Sequence, residues 1–394
     1  MDEKRVGRLK KVGIVFLLAI FCLGLTGILF AVEGKKPYKV GAIFAITGPA
    51  SWLGEPERNT VLMIEEQINI GGGINGHPLQ VIVEDTVGDE AKAVNAVKKL
   101  IYRDNVLAII GPSRSGTTMA VIPIVQKARV PLISCAAAES IVKPLKKWVF
   151  KTPQKDSDAV RKIYEYMKKK GISKIAIITG TTGFGDQGRK QLKRLAPEYG
   201  ITIVADETYG PKDTDMTAQL TRIRATDVQA IVNWSIVPAQ AIVAKNARQL
   251  GMKIPIFQSH GFGNIKYVEA AGKAAEGIIF PAGRLLAVST LPDSNPQKEV
   301  LVRYKWEYET RFGEEVSTFG GHAWDGLWLV IKALRKAGPD RKAIRDYIEN
   351  VKGFVGTGGI FNFSPQDHNG LTKEAFEMLT VKGGKFVVLG GTDF

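Results

Sequence analysis

The chain has 394 residues, of which 45% are hydrophobic and 24% charged, an ordinary globular composition that excludes a disordered, collagen-like or low-complexity protein. Lysine and arginine together number 54 against 39 acidic residues, a net charge of +15, which raises the question of a polyanionic partner. Two cysteines, Cys22 and Cys135, and four widely spaced histidines, His77, His260, His322 and His368, exclude a disulfide framework and a zinc site of the usual Cys/His spacing, so neither metal nor cofactor is expected.

The first eleven residues, MDEKRVGRLKK, are basic, and Val12 to Phe30 is an apolar run broken only by small or weakly polar residues. A basic segment followed by an apolar one reads as a secretory signal, with Ala31 in the flank LFAVEGKKP as a small residue for cleavage; residues 1–36 are taken as signal and flank. A permanent membrane anchor is the alternative, because the run is almost long enough to span. Cys22 does not make a lipid-attachment signal, since the bulky Phe21 precedes it.

From Tyr38 one unit recurs, a short apolar run, a turn and an amphipathic segment. The runs are YKVGAIFAI, PLQVIVEDT, VLAIIGP, VPLISC, SKIAIITG, ITIVADET, VQAIVNW, IPIFQSH and EGIIFPAG. Continuous β-branched runs between helical-period segments predict parallel strands buried on both faces, hence an α/β protein with doubly wound sheets. Basic residues are scattered along helices such as VRKIYEYMKKK and GRKQLKRL, as solvated faces rather than a patch interleaved with aromatics, so nucleic acid is not an expected partner.

Nine strands exceed one comfortable core, and the polar stretch KTPQKDSD at 151–158 marks a division. After EGIIFPAG the pattern turns helical, through PQKEVLVRYKWEYETRF, FGGHAWDGLWLVIKALRKAG and RKAIRDYIENV. A closing pair of strands, EAFEMLTVKGGKFVVL, has Gly383-Gly384 as its turn. Two such lobes leave a cleft between them, the expected place for a ligand.

The ordered segments GAIFAITGPASWLGEPERN, INIGGGINGHPLQVIVEDTVGDEAKAVNAVKKLI, AIIGPSRSGTTMAVIPIVQKARVPLIS, FGDQG, QSHGFGN and AAEGIIFP resemble the leucine/isoleucine/valine-binding protein family. These are the type I periplasmic solute-binding proteins of ABC importers for amino acids and amides. The resemblance covers essentially everything after residue 37. It implies two lobes closing like a Venus flytrap, joined by three crossing strands near 155, 279 and 375. The first lobe would comprise 37–155 with 280–375, the second 156–279 with 376–394. It also implies a periplasmic receptor without enzymatic activity, whose partners are a small carboxylate or amino acid and an inner-membrane ABC permease.

Carried onto this sequence, the family's carboxylate-gripping serine falls on Ser115, at a helix start where free amides and the helix dipole favour an anion. Helix capping is the plainer role for that serine. The family's backbone and threonine contacts fall on Ala136 and Ala138, so one hydroxyl is missing here, and Cys135 is expected as a packed thiol. Phe184 and Trp234 match the second lobe's aromatic positions, where they would cover a ligand or fill the base of the lobe. Trp52 is a further wall, whereas Trp324 and Trp328, four apart on a helix, read as core. His260 stands where relatives that bind α-amino acids place a glutamate. Imidazole cannot replace that carboxylate as partner to an ammonium but can donate to an oxygen, so the expected ligand is an aromatic or other organic acid, with branched-chain amino acids as the alternative.

The stretch Gly183-Phe184-Gly185-Asp186-Gln187-Gly188 satisfies G-x-G-x-x-G, and Asp206 follows at a suitable distance. In a dinucleotide fingerprint the first glycine directly follows the strand, whereas here Thr181 and Thr182 intervene. GPSRSG is not a nucleophile elbow. A sensor on the same fold is a third reading, against which the absence of any signalling segment in the sequence weighs.

Overall fold

The computed structural model describes residues 34–390. The expected signal, apart from residues 34–36, and Cys22 lie outside the described residues. No helix among the described residues is long and apolar enough to cross a membrane.

Each of the nine apolar runs forms a strand: β1 Tyr38–Phe44, β2 Leu79–Asp85, β3 Ile109–Ile110, β4 Leu132–Ser134, β6 Lys174–Gly180, β7 Thr202–Tyr209, β8 Ala230–Trp234, β9 Ile256–Gln258 and β10 Ile279–Gly283. The short β5, Val149–Lys151, lies in KKWVFK, where no alternation marks it. Eleven helices accompany them among the described residues: α1 Ser51–Ile70, α2 Glu90–Tyr102, α3 Ser115–Ala128, α4 Asp156–Lys169, α5 Gly183–Leu195, α6 Thr217–Arg224, α7 Ala239–Gln249, α8 Ile265–Ala271, α9 Lys298–Phe312, α10 Thr318–Ala337 and α11 Arg341–Glu349.

The smaller sheet has the order β2-β1-β3-β4-β5 with every neighbour parallel. Its strands are buried on both faces. Val40, Ala42 and Phe44 of β1 pack with α1 and α10, whereas Ile43 points to the opposite side with α2 and α3, as the two-residue period of a strand requires. Each such large apolar side chain contributes about 2 kcal/mol by leaving water.

β11 Phe354–Val355 and β12 Ile360–Phe361 form a separate antiparallel pair. The larger sheet has the order β14-β13-β10-β9-β8-β6-β7, where β13 is Phe376–Lys382 and β14 is Lys385–Val388. It is parallel except at its closing hairpin, since β13 runs antiparallel to both β10 and β14. Gly383 and Gly384 take φ of 58° and 74°, the left-handed pair that a two-residue hairpin turn of matching twist requires. The chain enters the larger sheet after Lys151 and leaves it after Gly283, then enters again at Phe376. β10 pairs with β13 along its whole length, Ile279 with Thr380 through Gly283 with Phe376.

Candidate functional site

The carboxyl ends of strands from both sheets face one another, the general location of ligand sites in open α/β folds. The loops that follow them line a pocket between the two sheets. From the first lobe come Ser113 and Ser115 after β3 and Cys135, Ala136 and Ala137 after β4; from the second come Phe184 after β6, Ile236 after β8, and His260 with Gly261 after β9. Leu53 of α1, Pro153, and Phe319 with His322 of α10 complete the wall, and every one of these residues is buried.

The α3 start is built by the loop Gly111–Arg114. Arg114 occupies the capping position without a side-chain cap, and Ser115 is already the first helical residue. The Ser115 hydroxyl is therefore not a cap. It accepts from the Ala138 amide at 3.4 Å, tying the α3 start to the loop after β4. Arg114 turns away from the cavity, its guanidinium donating to the Gly88 carbonyl at 2.7 Å. The neighbouring Ser113 hydroxyl accepts from the Ala45 amide at 3.0 Å and donates to Glu57, whose carboxyl burial holds well above the usual range.

Opposite, Thr182 caps α5 by accepting from the Gly185 amide at 3.3 Å, which sets Phe184 into the wall. Phe184 lies 5.7 Å from Trp234 and 5.3 Å from His260, ring centre to ring centre, while His260 lies 5.6 Å from Trp234 and 5.5 Å from Phe376. His260 is thus held in an aromatic box, edge to face with three rings. Neither of its ring nitrogens has a hydrogen-bond partner, nor has Nδ1 of His322. Burial, reinforced by the charge of Lys151, pushes His260 well below the ordinary histidine range and His322 down to about 3. Both imidazoles are neutral, each able to donate one hydrogen bond and accept another. Among the described residues, no aspartate or glutamate lines the cavity.

Ser115, Ala136, Phe184 and His260 of the expected residues meet in this wall. Three others sit apart from it. Ala138 is fully buried among Val121, Ile141 and other side chains of the first-lobe core, and only its amide acts near the site. Trp234 is fully buried behind Phe184 and His260. Trp52 packs edge-on against Tyr267 at 5.1 Å, and its carbonyl accepts from Asn264 at 2.9 Å; it closes the rim between the lobes, and Leu53, one position on, supplies the wall instead. Cys135, expected as a packed thiol, packs with the first-lobe core while also reaching the wall, and burial raises its thiol well above the usual value. Trp324 and Trp328 pack against the first-lobe core.

Sequence reasoning missed His322 and Phe319. Both lie in the first turns of α10, a helix whose apolar periodicity marks it as core, and nothing local shows that its start projects past the sheet into the cleft.

The Gly183–Gly188 stretch serves packing. A Cβ on Gly185 would fall 1.7 Å from the Gly180 carbonyl oxygen, and one on Gly188 would fall 2.0 Å from Trp234 Nε1. Those glycines let α5 lie against β6 and β8, with no phosphate cradle in view.

Residues 37–385 match the periplasmic binding protein family. Among curated relatives, the leucine-, isoleucine-, valine-, threonine- and alanine-binding protein of Pseudomonas aeruginosa is 25% identical over 308 residues, covering 76% of this chain and 78% of the relative. Among solved structures, an extracellular ligand-binding receptor from Rhodopseudomonas palustris superposes with a TM-score of 0.85 at 28% identity, over 91% of this chain and 100% of that one. The branched-chain amino acid substrate-binding protein LivJ of Streptococcus pneumoniae, in complex with isoleucine, gives 0.80 at 28% identity over 90% and 99%.

Proposed function

The chain belongs to the periplasmic binding protein family, and we propose on that footing that it is the extracytoplasmic receptor of an ABC importer, carrying a small organic carboxylate without an ammonium group to an inner-membrane permease. One observation carries the choice of ligand. Among the described residues the cavity wall presents two buried, neutral imidazoles with unpartnered nitrogens and no carboxylate. A buried ammonium group would be left without counter-charge there, at a cost of several kcal/mol. An anion instead meets the free amides and dipole of the α3 start, the Ser115 hydroxyl and the imidazole donors. Leu53, Phe184, Ile236 and Phe319 suit an apolar body. The first lobe takes the carboxylate and the second closes over the remainder, so that differential contacts stabilise the closed form that the permease receives.

Branched-chain amino acids are the second reading, favoured by the relatives: the Pseudomonas protein is named for such ligands and the pneumococcal one is seen with isoleucine. The test is a thermal-shift screen of the protein, refolded to strip carried-over ligand, against aliphatic and aromatic acids and against amino acids. A ligand of the folded state raises the midpoint by mass action. Stabilisation by acids lacking an amino group is expected; stabilisation by leucine, isoleucine or valine alone would overturn the reading.

A further inference from the structure

We infer that Ser113 is a second hydroxyl donor to the ligand's anionic group, and that Glu57, a neutral acid behind it, is the positioning residue that leaves the Ser113 hydrogen free for the cavity. The inference deepens the carboxylate reading and rests on it.

Ser113 lines the cavity two residues before Ser115, in the loop between β3 and α3. Its hydroxyl is tied to two elements of the first lobe, to the end of β1 through the Ala45 amide at 3.0 Å and to α1 through Oε2 of Glu57. Glu57 lies one turn of α1 beyond Leu53, itself a wall residue, and is fully buried.

The surroundings of Glu57 decide which oxygen owns the hydrogen in that contact. A carboxylate withdrawn from water needs a cation or several donors. Glu57 has neither: among the described residues no lysine, arginine or histidine pairs with it, Oε1 has no hydrogen-bond partner, and Oε2 meets only Ser113. The titratable groups beside it are the Cys135 thiol and the Tyr304 phenol, both kept neutral by burial. The carboxyl is therefore protonated, in keeping with the upward shift that burial gives it. With Glu57 ionised, Ser113 would be the donor in this contact; with Glu57 neutral, the acid O–H donates to Ser113 Oγ instead.

A serine hydroxyl has two lone pairs and one hydrogen. The Ala45 amide and the Glu57 acid fill both lone pairs, so the Ser113 hydrogen is left without an acceptor among the described residues, on a side chain that borders the cavity. An anionic group seated at the α3 start beside Ser115 supplies that acceptor, and the wall regains a hydroxyl that Ala138 does not provide. An ionised Glu57 would do the reverse, taking the Ser113 hydrogen and setting a like charge behind the anion.

The experiment pairs infrared spectroscopy with calorimetry on the wild type, Glu57→Gln and Ser113→Ala, using benzoate and hexanoate, each beside its primary amide, and isoleucine. Glutamine is always uncharged and keeps a donor for Ser113; Ser113→Cys, close in size and a weaker donor, serves if the alanine variant misfolds by circular dichroism. At neutral pH the difference spectrum between wild type and Glu57→Gln is expected to show the carbonyl band of a protonated carboxylic acid, and Glu57→Gln to bind the acids within about threefold of the wild type. Ser113→Ala should weaken the acids by about tenfold to a hundredfold and the amides by no more than about threefold, because a hydrogen bond to a charged group is worth more than one to a neutral group. Carboxylate bands in place of the acid band, or an acid affinity raised tenfold or more by Glu57→Gln, would show that Glu57 is ionised and holds the Ser113 hydrogen, and would overturn the inference. Equal losses for acid and amide in the Ser113 variants, or no loss for either, would make Ser113 a structural residue and overturn it too, while leaving the carboxylate reading intact. Binding of neither acid by the wild type would instead overturn that reading, and this inference with it.

Discussion

Gly116 and Gly183, the second residue of α3 and the first of α5, meet across the cleft: a Cβ on Gly183 would lie 2.8 Å from both the Cα and the amide nitrogen of Gly116. Two helix starts from different sheets approach this closely only because neither bears a side chain there.

Gly183→Ala is therefore expected to hold the lobes apart. Affinity for the ligand found in the screen should fall about tenfold, and small-angle scattering should show less compaction on ligand addition than in the wild type. Unliganded stability should be unchanged or slightly higher, since alanine is the better helix former by about 1 kcal/mol. Unchanged affinity with full compaction would mean that this contact does not limit closure.

Ser115→Ala removes a hydroxyl that neither caps α3 nor lies in the core. Binding of a carboxylate should weaken by about 1 to 3 kcal/mol, the usual loss of a hydrogen bond to a charged group, read by calorimetry. An unaltered dissociation constant removes Ser115 from the site.

His322 titrates at about 3 in the folded protein against about 6.5 in an unfolded chain. Between these values the unfolded state binds more protons, so the stability contributed by keeping this imidazole neutral is complete above about pH 6.5 and is lost as the pH falls toward 3. Asp325, raised by burial to about 7, acts oppositely, losing its contribution as the pH rises from about 3.8. The two are separated by comparing His322→Gln with the wild type in urea. The advantage of the wild type over the variant should shrink by up to about 1.4 kcal/mol per pH unit on acidification below 6.5; a constant difference would mean that His322 is solvated.

Gly188→Ala should destabilise the protein by about 1 to 3 kcal/mol through overpacking against Trp234, measured by urea denaturation. A neutral result would imply that the indole moves aside freely.

The strands were legible because continuous β-branched runs such as KIAIITG and AIVNW leave a parallel sheet as the only place to bury both faces. At the site, Ser115 and His260 follow strand ends whose position the pattern already indicates. Trp52 and Leu53 show the limit: adjacent residues of a helix point about 100° apart, and only the docked lobes decide which of them meets the cavity. Trp234 shows another, since a large ring at a strand's end can line a pocket or stand behind the ring that does. His322 depends on where a helix start comes to rest after a chain excursion of more than two hundred residues from Ser115, which no local signal encodes.

The burial of every cavity-wall residue has a kinetic consequence. Where Phe184, Leu53 and Phe319 are each buried in the wall, the residence time of a ligand held between the lobes would depend on the rate at which they separate as much as on the strength of the polar contacts. Ligands of quite different affinity would then share a ceiling on their release rate.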